Sequence, residues 1–308
     1  MKARPERNSA SALIDLGEDR LVAALTRGLP SGEDVLVGVG DDCAVIGRPR
    51  DRRWQLLKTD AVVEGIHFLR EEDPRRVGWK ALCRAISDVA AMGGMPAHAL
   101  ITVAAPPSTP VTRLKSLYAG LQKAARHYRV GLVGGETSRS PGPLFLNVAL
   151  TGWVEPKCCV LRSGGQAGDA LYVTGRLGGT LAGKHLDFRP RLDEARWLVS
   201  HFHLHAMMDL SDGLASDLPR LAEASRCGYE VEMDRLPLAR GCLPAQAMSD
   251  GEDYELLFAI PARSGAALEA AWKRRFPRLP LTRIGQLVHR SKTRKTNSPR
   301  GYDHFAQR

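Results

Sequence analysis

The chain has 308 residues, 44% hydrophobic and 25% charged, with 30 glycines and 19 prolines. That balance excludes a disordered or collagen-like chain, no apolar run reaches the roughly 20 residues of a membrane helix, and the length predicts two domains or one large one. The net charge of +10 is concentrated in the tails, where residues 289–300 carry five cations and no acid, so it lends nucleic-acid binding little support.

In chain order, residues 14–29 read as one amphipathic helix, with Leu21, Leu25 and Leu29 at helical spacing. Residues 35–47 read as two short strands around Gly40-Asp41-Asp42, and residues 54–68 as a strand emptying into an acidic turn. A long helix is expected over 75–94, stopped by Gly93-Gly94, then a strand over 98–105 and a helix over 111–128. Residues 130–136 predict a strand running into a Gly-Gly turn, and 144–154 a further strand. The turn-rich stretch 155–169 is the expected boundary, giving domains of 1–155 and 156–308. Beyond it, strands are expected at 169–175, 229–238 and 281–288, and helices at 193–202 and 267–276. Residues 207–225 should run from a strand end through an acidic turn into a helix. Mixed strands and helices without a repeat give an α/β or α+β class.

The first twenty residues lack the apolar core of a secretion signal, so a cytoplasmic protein is expected. The six cysteines include no Cys-x-x-Cys pair and are expected to be reduced and mostly buried. Gly178 to Lys184 fits the spacing of a phosphate loop, but His185 stands where a metal-binding Ser or Thr belongs. His201, His203 and His205 would share a face only on a strand, and they leave a helical pattern. No Gly-x-Ser-x-Gly elbow or Gly-x-Gly-x-x-Gly fingerprint is present.

The informative pattern is a series of acidic groups beside glycines at strand ends. They are Gly40-Asp41-Asp42, Thr59-Asp60, Gly134-Gly135-Glu136-Thr137, Asp209-Leu210-Ser211-Asp212-Gly213 and Gly251-Glu252-Asp253, with Asp88 inside the long helix. If they converge, each close carboxylate pair repels by about 4 kcal/mol at an effective dielectric near 20, so a cation is required. Oxygen ligands select Mg²⁺ or Ca²⁺, and Mg²⁺ is commonly shared with substrate phosphates.

In order, GVGDDCAVI, LLKTDAVVEGIHF, AISDVAAMGG, GLVGGET, LRSGGQAGDALYVTG, DLSDGLASDL and SDGEDYELLFAIP resemble the thiamine-monophosphate kinase family. The resemblance covers most of residues 14–305, including the terminal GYDHF. It implies the two-domain fold of the aminoimidazole ribonucleotide synthetase and selenophosphate synthetase superfamily, with an N-terminal domain that pairs strands in a homodimer. The implied activity is phosphorylation of thiamine monophosphate by ATP with Mg²⁺, by direct in-line transfer. The implied metal ligands are Asp42, Thr59, Asp60, Asp88, Glu136, Asp209 and Asp212. Tyr118, Gly135, Glu136, Arg162 and Ser211 are the implied ATP contacts, and His67 and Glu252 those to thiamine monophosphate. Three departures stand out: Glu136 replaces the family's Asp, the segment between Gly183 and Asp209 is shorter than usual, and Pro299 stands where an aromatic often precedes the terminal Gly-Tyr-Asp. Another ATP-using synthetase of the superfamily, or a non-catalytic nucleotide- or nucleic-acid-binding protein, is the alternative.

Overall fold

The computed structural model describes residues 12–292, 301–302 and 304–305. Two sheets organise it. The first joins β1 (Val35–Val37), β2 (Ala44–Ile46), β3 (Trp54–Val63), β4 (Met95–Ala105), β5 (Gly131–Arg139) and β6 (Phe145–Val154) in the order β1-β2-β3-β6-β4-β5. The second joins β7 (Asp169–Thr174), β8 (Ala206–Asp209), β9 (Gly228–Val231), β10 (Leu256–Pro261) and β11 (Leu281–Val288) in the order β8-β10-β7-β11-β9. β4 and β5 are parallel; the other ladders are antiparallel.

The helices are α1 (Leu13–Leu16), α2 (Glu18–Thr26), α3 (Pro74–Ala91), α4 (Val111–Tyr128), α5 (Lys184–Asp187), α6 (Leu192–His201), α7 (Leu214–Ala224), α8 (Pro244–Ser249) and α9 (Gly265–Arg275). The single helix expected over 14–29 is split, because Gly17 takes φ of 70° and breaks the hydrogen-bond run. Helix α3 starts cleanly: Pro74 occupies its first turn and the Asp73 carboxylate accepts from the Arg75 N–H. It packs against β3 and β6, crosses α4, and reaches α6 and β8. At the α3–α4 crossing, a Cβ on Gly78 would lie 2.0 Å from the Leu117 carbonyl oxygen, and one on Gly120 1.9 Å from that of Arg75. Only glycines allow this approach. A continuous core runs from Ile86 on α3 and Leu146 on β6 to Tyr172 and Phe258 in the second sheet.

Two further expectations needed revision, and one strand carried no expectation. The Gly-Gly pair at 134–135 makes no turn; β5 runs straight through it as an exposed edge strand. Only Gly228–Val231 of the segment expected as a strand over 229–238 is one, because a 3₁₀ turn at Met233–Arg235 takes over. β10 went unassigned, although it is the buried strand between β8 and β7. All six cysteines are free, with Cys43, Cys83 and Cys158 buried. Among the described residues no helix is long and apolar enough to cross a membrane.

Candidate active site

Helix α3 carries a buried polar stripe, Lys80, Ser87 and Asp88, with Arg84 beside them, at spacings that keep these side chains near one face. Arg84 and Asp88 of that stripe line a cleft of about 860 Å³, together with, among others, Asp60 on β3, Arg162, Asp209 at the end of β8, and Ser211 and Asp212 just beyond it. Strand pleating points Lys58 and Asp60 of β3 to this side. Residues from both sheets therefore meet here.

At the cleft floor, Asp42, Asp88 and Asp209 each offer a carboxylate oxygen, all within 4.8 Å of one another. All three are buried, and Asp42 Oδ2 has no hydrogen-bond partner. Carboxylates so close repel by about 3–4 kcal/mol per pair at an effective dielectric near 20. Burial, then the neighbouring Asp42 charge, lifts the Asp209 pKa from 3.8 to about 7, and burial pushes Asp88 well above its ordinary value. Hard oxygen donors, mutual repulsion and an orphaned carboxylate oxygen fit a divalent cation such as Mg²⁺.

Four basic side chains hold the acids in place. Arg162 donates to Asp42, with Nε at 3.0 Å, and its main-chain N–H donates to Asp41. Lys58 Nζ lies 2.8 Å from Asp88 Oδ1, and Arg84 lies 3.1 Å from Asp60. Arg220 bridges Asp212 and Asp217, while the Asp217 carboxylate accepts from the N–H groups of Ser211 and Asp212. The Ser87 hydroxyl donates to Asp209.

A small second cavity of about 60 Å³ adjoins the cleft, lined by His67, Arg84, Ser211, Glu252, Tyr302 and His304 among others. The His67 ring lies 5.2 Å from that of His304, which meets Tyr302 edge-on at 4.9 Å. Aromatic surface is thus present although Pro299 is not aromatic; Pro299 itself lies outside the described residues. Burial, then the Arg84 charge, lowers the His67 pKa from 6.5 to about 3, so the ring is neutral near pH 7. Its Nδ1 accepts from the Val63 N–H at 3.1 Å, which leaves the proton on Nε2.

The structure therefore brings Asp60, Asp88, Arg162, Asp209, Ser211 and Asp212 to one cleft, with Asp42 clustered against Asp88 and Asp209, Glu252 at the adjoining cavity and His67 lining both. Thr59, Tyr118, Gly135 and Glu136 do not line either space. Ala61, Asn147, Thr102 and Glu136 form one row across β3, β6, β4 and β5, so Glu136 stands three strands from β3, about 14 Å at ordinary strand spacing. Pleating puts Thr59 and Glu136 on the open face of the sheet, where the Thr59 hydroxyl bonds Asn147. Sequence reasoning missed Lys58, Lys80, Arg84 and Arg220, whose charges read as ordinary solvated positions. The other motifs take structural places: Thr180–Ala182 is a 3₁₀ turn that bonds the Gly251 carbonyl and sets Leu181 at the edge of the small cavity, and His205 pairs with Asp169.

The family models for AIR synthase related protein match this chain, the N-terminal domain over residues 40–154 and the C-terminal domain over 166–296. A thiamine-monophosphate kinase of Rhodopirellula baltica is 38% identical over 284 residues, covering 86% of this chain and 87% of its own length. One from Escherichia coli strain K12 is 34% identical, covering 94% and 98%. Among solved structures, AaThiL complexed with AMPPCP and TMP superposes with a TM-score of 0.82 at 31% identity, covering 96% of this chain and 99% of its own. Thiamine-monophosphate kinase from Stenotrophomonas maltophilia K279a gives a TM-score of 0.69 at 30% identity, covering 91% and 94%. With both domains matched and relatives alike along most of their length, the chain belongs to the thiamine-monophosphate kinase family of AIR synthase related proteins.

Proposed function

We propose that this chain transfers the γ-phosphoryl group of ATP to thiamine monophosphate, giving thiamine diphosphate and ADP, with Mg²⁺ as the metal. The observation that carries it is the buried Asp42, Asp88 and Asp209 cluster beside a second, aromatic-edged cavity. One space suits a metal-bound phosphate chain, the other a heterocycle.

Asp42, Asp88 and Asp209 would hold Mg²⁺, with Asp60 and Asp212 at the rim. Bound there, Mg²⁺ supplies charge neutralisation along the phosphate chain. Arg162 and Ser211 line the cleft where they can donate to phosphate oxygens. Neutral His67 presents Nε2–H to the acceptor, and Glu252 offers a carboxylate to its cationic ring. The acceptor phosphate is largely ionised near neutral pH, so positioning rather than a strong general base drives transfer.

We further propose that residues 1–155 form the nucleotide- and metal-binding domain, residues 156–308 the second domain, and that the protein acts in the cytoplasm as a homodimer. The open face of the first sheet supports the dimer: Leu57, Leu100 and Val133 are exposed there around a groove of about 350 Å³. In a pair of chains, Tyr118, Gly135 and Glu136 would serve the nucleotide held by the partner copy, since in their own chain they stand off the cleft. ADP release measured with and without thiamine monophosphate tests the function; release at the same rate without it contradicts the assignment.

A further inference from the structure

Lys80 is a fully buried cation, with 0% of its surface exposed, placed between the first sheet's α3 and a loop of the second half. Its ammonium donates to the main-chain carbonyl of His67 at 2.5 Å and to Glu252 Oε2 at 2.6 Å. The two acceptors come from opposite sides. His67 lies in the turn after β3, and Glu252 in the loop between α8 and β10.

That loop is strained. Glu252 and Tyr254 adopt φ of 54° and 50°, a left-handed conformation that strains residues bearing a side chain. Its main chain is held by the Glu252 N–H on Ser211 and the Tyr254 N–H on Leu210, at 2.7 and 2.8 Å. Lys80 holds the Glu252 side chain. An unanchored glutamate loses rotamer freedom when a ligand fixes it. A lysine that fixes it beforehand removes that cost from ligand binding.

We infer that Lys80 is a positioning residue of the acceptor cavity, clamping the Glu252 carboxylate and the His67 turn so that the cavity is preformed for a cationic heterocycle. The inference rests on the proposed kinase function. Lys80 has no exposed surface and acts through Glu252 and His67. With Oε2 committed to Lys80, Glu252 Oε1 is the oxygen left for the acceptor. Glu252 lines only the smaller cavity, whereas His67 borders both spaces, so loss of the clamp should weaken acceptor binding more than nucleotide binding.

The test compares the parent with Lys80→Met, Glu252→Gln and the double variant. Calorimetry measures thiamine monophosphate binding, and steady-state kinetics measures both substrates. Lys80→Met should weaken thiamine monophosphate binding at least about tenfold and raise its KM in step, while the KM for ATP stays within about twofold. In the Glu252→Gln background, adding Lys80→Met should cost little more. If the single Met variant fails to fold because Glu252 is left without its partner, the double variant is compared with Glu252→Gln alone. Unchanged acceptor affinity in Lys80→Met overturns the inference. So does an equal loss for ATP and acceptor, which marks a purely structural lysine, or a further tenfold loss in the double variant. A parent that releases no ADP in response to thiamine monophosphate would instead contradict the kinase function itself.

Discussion

The Lys58 ammonium stands 2.8 Å from Asp88 Oδ1, so one acid of the carboxylate cluster already has a cation of the chain's own. The pair is largely buried, with 22% and 10% of the two side chains exposed. Removing one partner of a buried pair typically costs about 3–5 kcal/mol, because the other charge is left uncompensated. Lys58→Met should therefore lower the unfolding temperature of the metal-free protein and enlarge the rise produced by Mg²⁺. Thermal unfolding with and without Mg²⁺ checks this; an unchanged Mg²⁺ response would show that Lys58 and the metal do not share Asp88.

Asp88 is predicted to be indispensable. Asp88→Asn keeps the shape of the side chain but removes a charge from the cluster, so turnover should fall at least about a hundredfold, roughly 2.7 kcal/mol of transition-state stabilisation. The variant also leaves Lys58 without this partner, so the metal-free protein should lose stability, but relief of the repulsion with Asp42 and Asp209 offsets part of that loss and the fold should survive. Near-normal activity at saturating Mg²⁺ would remove Asp88 from the metal site.

Glu136 tests the proposed dimer. Glu136→Gln should lose at least about tenfold in activity, roughly 1.4 kcal/mol, whereas Glu136→Asp should keep measurable activity with a changed Mg²⁺ requirement. Because Glu136 stands on the open sheet face, mixing Glu136→Gln chains with Asp88→Asn chains should restore part of the activity in mixed dimers. No restoration would mean that each chain uses its own Glu136 or none.

Asp253 lies away from the metal cluster and reports on folding. Burial, opposed by the Lys184 charge, lifts its pKa from 3.8 to about 7, and its Oδ2 has no partner. A raised pKa means that the folded state binds the proton more tightly than the unfolded one. The stabilisation is complete below pH 3.8 and is lost as pH rises through about 7, amounting to at most about 4 kcal/mol. Denaturant unfolding between pH 5 and 8 should thus show a falling stability that is shallower in Asp253→Asn. Parallel profiles for parent and variant would count against this.

Most of the acidic motifs were legible because they couple a glycine to a carboxylate at the end of an apolar run; Asp60, inside β3, was legible only as an acid within an apolar strand. Asp60, Asp209 and Asp212 indeed reach one cleft, with Asp42 clustered against Asp209. The cations were not legible. Lys80 and Arg84 sit four residues apart on α3, and periodicity identifies a polar stripe without saying that it faces the second sheet. β10 was hidden for the opposite reason: Leu256–Pro261 is apolar throughout, with no alternation to mark a strand. Glu136 was misread locally because Gly134 and Gly135 signal a turn, whereas β5 carries them extended at φ of 151° and 156°.

The most direct measurement is the fate of a labelled γ-phosphate. ATP labelled there, incubated with thiamine monophosphate and Mg²⁺, should deliver the label into thiamine diphosphate in a one-to-one ratio with ADP. Omitting Mg²⁺, or replacing Asp88 by Asn, should abolish that transfer. Label released as free phosphate, or ADP formed with no thiamine diphosphate, would contradict the account.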